Sequence, residues 1–208
     1  MSVCSMAPYK HNFGQTITTD VEGVAVDSAF IAHVRIPAPM AANSNGMIDG
    51  ERCTTGGEAN PLVITEFKKQ PDWPRNIVVT LAASTPGDIA AGEIVVKGKN
   101  FSGEEITETH TVKADTPSTF TGSIAFKEVT SVTVPVQDGG SVTVNVGWGN
   151  VFGMPYKLEA GEQVILKLFN KSADSGTVTP DAKDIEKNVI SLNGSPDGQK
   201  DIDLYIIV

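Results

Sequence analysis

Apolar and polar residues take turns along several short stretches of this chain. A period of two puts alternate side chains on opposite faces of a strand. In residues 28–36, Phe30, Ala32, Val34 and Ile36 fall in one phase, and His33 and Arg35 in the other. After a short apolar run at 62–66, the same rhythm returns in 76–82 through Ile77, Val79 and Leu81. Residues 93–99 and 104–113 flank Asn100-Phe101-Ser102-Gly103, a four-residue connection suited to a hairpin. Phe120, Ile124 and Phe126 mark a further strand region. The clearest signal follows: Val132, Val134 and Val136, then Gln137-Asp138-Gly139-Gly140, then Val142, Val144, Val146 and Trp148, all spaced by two. That pattern predicts a second hairpin, with Gly139 and Gly140 supplying positive φ in its turn. Its oily face needs another sheet to pack on. Pro135 lacks an amide proton and favours an edge or a bulge.

Val164, Leu166 and Leu168 predict another strand, and the apolar end Asp201–Val208 predicts a last one. An apolar strand left open would invite aggregation, so it should pair, within the domain or with a neighbouring subunit. Between these segments the pattern fades. Residues 1–26 are mixed and glycine-spaced, which predicts an extended arm. Residues 37–60 predict a long loop, with turn signals at Asn45-Gly46 and Asp49-Gly50. Residues 170–200 predict a loop with at most one short helix near 181–187.

No helical apolar period persists anywhere. Many short strands separated by turns predict an all-β fold, a β-sandwich or partly open barrel of Ig-like or jelly-roll-like kind. The expected organisation is an extended N-terminal arm with one strand and a long loop over 1–60, a core domain over 61–169, and a C-terminal extension over 170–208 that ends in a strand.

Composition narrows the function. The 208 residues carry a net charge of −9, and the only arginines are Arg35, Arg52 and Arg75. Nucleic-acid binders cluster Lys and Arg against phosphates. The densest basic spot here is Lys68-Lys69, so neither nucleic acid nor an anionic membrane is an expected partner. The first residues lack a basic stretch followed by an apolar one, and no apolar run approaches the ~20 residues that span a bilayer. The expectation is a chain made in the cytoplasm that stays soluble. Cys4 and Cys53 read as free thiols; a bridge between them would tie the N-terminal segment to the region before the core.

Catalytic signatures are missing from the sequence. It has no phosphate loop, dinucleotide fingerprint, nucleophile elbow, His-Glu-x-x-His or calcium loop. No cofactor or metal is implied. His11, His33 and His110 lie far apart in sequence, and the bland reading of His33 and His110 is a half-buried, hydrogen-bonded side chain. Glu104 and Glu105 point to opposite faces of a strand, whereas Asp201 and Asp203 share one. Among the aromatics, Trp148 continues the valine phase and belongs to the core or its lid. Trp73, held between prolines, either caps the end of the sandwich or offers a platform to a sugar ring or protein partner. Tyr9 and Phe13 have no local core to fill; they anchor the arm on a partner or fold back.

The order Pro74–Thr80, Gly92–Gly98, Gly103–Thr109, Phe126–Pro135 and Val146–Leu158 is similar to that of small structural proteins encoded in tailed-phage and prophage morphogenesis clusters. These are capsid-associated proteins of the decoration, cement or head-fibre kind. The likeness runs from residue 72 to residue 158 and rests on strands and turns. It implies a β-domain on the capsid surface of the virion, bound to the outer face of the major capsid protein in many symmetry-related copies. It implies no catalytic residues. A homo-oligomer, such as a trimer, fits that setting. The rival expectations are a carbohydrate- or receptor-binding module of a phage tail or fibre, centred on Trp73 and the 37–60 loop, and an enzyme in which His33 or His110 meets a carboxylate in a cleft.

Overall fold

The computed structural model describes residues 30–57 and 60–208, with the backbone of two short strands, β1 (Thr16–Thr18) and β2 (Ala25–Asp27), which pair antiparallel with each other. Tyr9, Phe13, Cys4 and His11 lie outside the described residues. The chain is all-β, as its alternation predicts, and its sheets are antiparallel.

The first of two lobes is a sandwich. One of its sheets is built from β4 (Asn43–Arg52), β6 (Arg75–Ala83), β9 (Ser118–Thr121) and the twelve-residue β11 (Val142–Gly153). The other runs in the order β5 (Leu62–Ile64), β10 (Glu128–Val134), β7 (Gly92–Lys99) and β8 (Glu105–Val112). The predicted β7–β8 hairpin is present, with Lys99 opposite Glu105. Every other connection from β4 to β11 carries the chain from one sheet to the other.

Three sequence expectations are corrected here. The valine ribbons at 132–136 and 142–148 do not form a hairpin. β10 pairs with β5 and β7, β11 pairs with β6 and β4, and the two valine rows meet face to face across the core. The connection between them is an arch held from outside. Asp88 accepts the amides of Asp138 and Gly139 on its carbonyl and that of Ser141 on its carboxylate, while the Gln137 amide bonds to Thr54 O. Gly139 and Gly140 are not at positive φ; Gly139 serves close approach instead, since a Cβ there would fall 2.2 Å from the Asp88 carboxylate. Second, residues 43–52 are a strand and not loop. β4 adds to β11 with two register shifts, and Gly50 takes a φ of 68° inside the strand, not at a turn between strands. Third, residues 170–200 hold three short strands around a 3-10 turn at Ile185–Lys187: β13 (Ser172–Ala173), β14 (Thr177–Thr179) and β15 (Val189–Ser191).

The second lobe joins the strand after Phe30 to strands from the last third of the chain. β3 (Ile31–Ile36), β16 (Ile202–Ile207), β12 (Val164–Phe169) and β13 form one sheet in the order β13-β12-β16-β3. The last strand therefore pairs within the chain, with the strand expected in the arm on one side and the one expected in the core on the other. Sheet membership thus cuts across the segmentation by chain order. Ile36, Ile202, Leu204 and Ile206 line the inner face of this sheet and pack on Phe152, Met154, Leu158 and Ile190. β11 links the lobes. One flank pairs with β6; the other pairs with β4 in its first half and β15 in its second.

Candidate functional site

Both histidines singled out in the described sequence meet a carboxylate, by different routes. His110 and Glu108 share the inward face of edge strand β8, and each side chain is about nine-tenths buried, at 11% and 12% exposure. His110 Nε2 lies 3.8 Å from Glu108 Oε2, and neither atom has a hydrogen-bond partner. The other Glu108 oxygen accepts the amide of Ser123 at 2.7 Å, and the His110 ring stacks on Phe120 of β9 at 5.6 Å. These contacts close the open side of the sandwich, where β8 and β9 approach without pairing.

His33 belongs to the second lobe's outer sheet face. Its Nε2 is 2.7 Å from Asp203 Oδ1, and its ring stacks on Tyr205 at 4.7 Å, nearly parallel. Beside it, Arg35 donates to Asp201 at 2.5 Å; that bond and charge hold the Asp201 carboxyl below the usual range, helped by the Ala38 amide. The partners lie 166 to 170 residues apart in sequence, so only the β3–β16 register brings them together. Sequence reasoning placed His33 and Asp203 each on a polar phase but had no signal for their pairing.

Two surface clefts stand out among the described residues. One, of about 590 Å³, opens between Ile48 and Glu51 of β4 and the edge strand β5 with the turn to Lys68. The other, of about 330 Å³, lies beside Val164, Lys167 and Val178, and the Lys167 amine donates to Gly176 O at 2.6 Å. Neither His33 nor His110 lines either cleft. The first cleft borders the side of β5 that pairs with no other strand among the described residues, and a backbone edge of this kind can accept another strand.

Trp73 lies at the junction of the lobes. Its indole N–H donates to Gly153 O at 2.8 Å, its ring meets Phe101 of the β7–β8 turn edge-on at 5.5 Å, and it packs against the second core. Both its polar tip and an edge are thus engaged within the chain. Behind it, fully buried Arg75 lies 4.3 Å over the Phe152 ring and donates to Met40 O at 2.8 Å. Burial lowers its pKa to about 10, against the pull of Asp72. Trp148 is 3% exposed and bonds to Ala41 O, inside the first core as its phase predicted. Cys53 is a free thiol, 2% exposed. Burial, with the Glu51 charge, pushes its pKa up to about 12, which suppresses the reactive thiolate.

Among the described residues, the exposed large apolar side chains are not scattered. Ile31, Ile165, Leu166 and Val208, 40–62% exposed, all belong to the β12–β16–β3 sheet or its end; Val63 on β5 stands apart. Among the described residues, no group of three or more His, Cys, Asp or Glu side chains is placed to hold a metal ion. The chain matches no family model, no curated protein and no solved structure.

Proposed function

We propose that this chain is a virion structural protein, a capsid decoration or cement subunit that binds the outer face of the major capsid protein and stabilises the head. The observation that carries the reading is how polar chemistry is spent. Glu108 and His110 seal a sandwich edge, Asp88 and Gln137 hold the arch, Arg75 sits at the lobe junction over Phe152, and Asn76 ties β6 to Gly122 and Val151. Among the described residues, the exposed large apolar side chains other than Val63 gather, in contrast, on one outer sheet. A molecule built this way invests in rigidity and contact. The strand-and-turn order of 72–158 adds the particle setting, and the charge of −9 favours a protein partner over DNA or membrane. In a lattice of many copies, weak single contacts suffice.

The test is co-sedimentation of the purified protein with heads assembled without it, followed by thermal disruption of decorated and bare heads. Binding at saturable stoichiometry with later disruption supports the reading. Protein that stays in the supernatant at every concentration refutes it.

A further inference from the structure

Beyond the particle reading, and independent of it, we propose that the outer face of the β12–β16–β3 sheet is a self-association surface whose occupant is the same face of a second copy. The register sets out three cross-strand rows on that face. Ile31 stands opposite Ile207; His33 opposite Tyr205 and then Leu166; Arg35 opposite Asp203 and then Leu168. Ile31 and Leu166 are 62% and 40% exposed, and Ile165 and Val208 extend the apolar surface at its margins. An aromatic, an arginine and branched aliphatics in adjacent rows are the composition that interface cores favour.

Charge selects the occupant. The molecule carries −9 overall, so two copies repel across most of their surfaces. On this face, however, both carboxylates are already engaged: Asp201 by Arg35 and Asp203 by His33. A basic partner would gain little steering from a face whose carboxylates are engaged. A second copy meets there the least repulsion and the most exposed apolar surface. Two identical faces stacked about a two-fold axis make an isologous contact, with sheets ~10 Å apart. Such a contact links copies in pairs, and other surfaces stay open to further partners.

Size sets the strength. Six-residue strands are about 20 Å long, and three or four neighbours span about 15 Å, a flat footprint of roughly 300 Å² per copy. That is well below the ~800 Å² per partner of a standard stable interface. The free protein is therefore monomeric when dilute and pairs at concentrations near ~100 µM.

Sedimentation velocity on the full chain tests this, from about 5 µM to 1 mM and at low and high salt. The expected result is a weight-average mass that climbs toward twice the monomer. Added salt should tighten association severalfold, because it screens the repulsion between acidic copies. The double variant Ile31→Glu, Leu166→Glu should associate at least ~10-fold more weakly with an unchanged melting midpoint, whereas Val63→Glu on β5 should associate like the parent. A photocrosslinker at position 166 should join two chains. A mass that stays monomeric throughout, association weakened by salt, a double variant that pairs like the parent, or crosslinks confined to residues 1–29 of the same chain would each overturn the proposal.

Discussion

Replacing Asn188 by Ala should be among the most damaging single changes in the second lobe. Its side chain is fully buried and makes four hydrogen bonds, all to backbone. The Oδ1 accepts the amides of Leu158 and Asp181 at 2.9 Å each, and the Nδ2 donates to the carbonyls of Asp181 at 2.6 Å and Asp184 at 2.9 Å. One amide thus ties the segment after β11 to the 181–184 turn. Alanine leaves all four groups without that partner. The Leu158 amide is enclosed and stays dry, costing ~1–3 kcal/mol; the three groups at Asp181 and Asp184 lie nearer solvent and lose about 0.5 kcal/mol each after regaining water. The sum is about 2.5–4.5 kcal/mol, a large share of the ~5–15 kcal/mol that holds a domain folded. Asn188→Asp is the sharper variant. It keeps the acceptor but sets a carboxylate against two carbonyls, so at neutral pH it should cost at least as much as Ala and recover partly in acid. Urea unfolding followed by tryptophan fluorescence measures both, with the denaturant slope expected to hold. A loss under ~0.5 kcal/mol for Ala, or parent-like stability for Asp, would refute this account of the residue.

Gly147→Ala should cost more than the ~1–3 kcal/mol of ordinary overpacking, because a Cβ there would lie 1.8 Å from the Asn43 carbonyl, a backbone atom that cannot rotate aside. Amide exchange should rise across residues 43–52, and a loss under ~1 kcal/mol in urea would contradict the tight seating of β4 on β11. In a Cys4→Ser background, Cys53 should react with a disulfide reagent at pH 8 at least ~100-fold more slowly in the native than in the unfolded protein; equal rates would mean the thiol is open to solvent. Because the folded thiol titrates near 12 against an ordinary 9.0, the folded state holds its proton longer, so this group's contribution to stability falls as pH rises from 9 toward 12. Among the described residues, four carboxyls are held below their ordinary value of 3.8, and these belong to the second lobe. Burial works against the depression at Asp174 but is outweighed by the amides of Asn193, Gly194 and Gly176; Asp181 is lowered by the amides of Asp184 and Lys183, Asp197 by Lys200, and Asp201 by Arg35. Their stabilisation is complete above pH 3.8 and is lost as pH falls below it, so Trp73, packed on the second core, should respond to acid before Trp148; a leading Trp148 would refute the ordering.

Strand identity was legible where it is local. The patterns in 28–36, 93–99, 104–113, 142–148 and 201–208 need no partner to be read, and each holds a strand. Pairing was not legible, because partners lie far along the chain: β3 finds β16 across some 170 residues, and nothing in either strand names the other. The false hairpin shows the limit well. Two valine rows of equal phase are as consistent with facing sheets as with neighbouring strands, and the deciding contacts come from Asp88 and Thr54, outside the ribbon. β4 was hidden for another reason. Asn43–Arg52 has glycines and small polar residues where a strand usually shows β-branched ones, because Gly46 lies under the Trp148 ring and the segment is held by β11 more than by its own propensity. The candidate surface was half legible: Ile31, Leu166 and Tyr205 each sit on a readable strand, but their assembly into rows depends on register.

The origin of that surface bears on when copies can meet. The outer face exists only after β16, ending at Ile207, has inserted between β3 and β12. Closing contacts so distant in sequence is slow, since loop entropy must be overcome before the pairing returns anything. The sandwich lobe, by contrast, is built from β4 to β11 alone and can form while the C-terminal strand is still free. A chain folding in this order presents its apolar rows last, as a finished sheet with Arg35 and His33 already paired to their carboxylates. Refolding should therefore show mass doubling only after the slowest folding phase, with a rate for the preceding step that does not depend on protein concentration. Association during the fast phase would mean that copies recognise one another through the sandwich lobe instead.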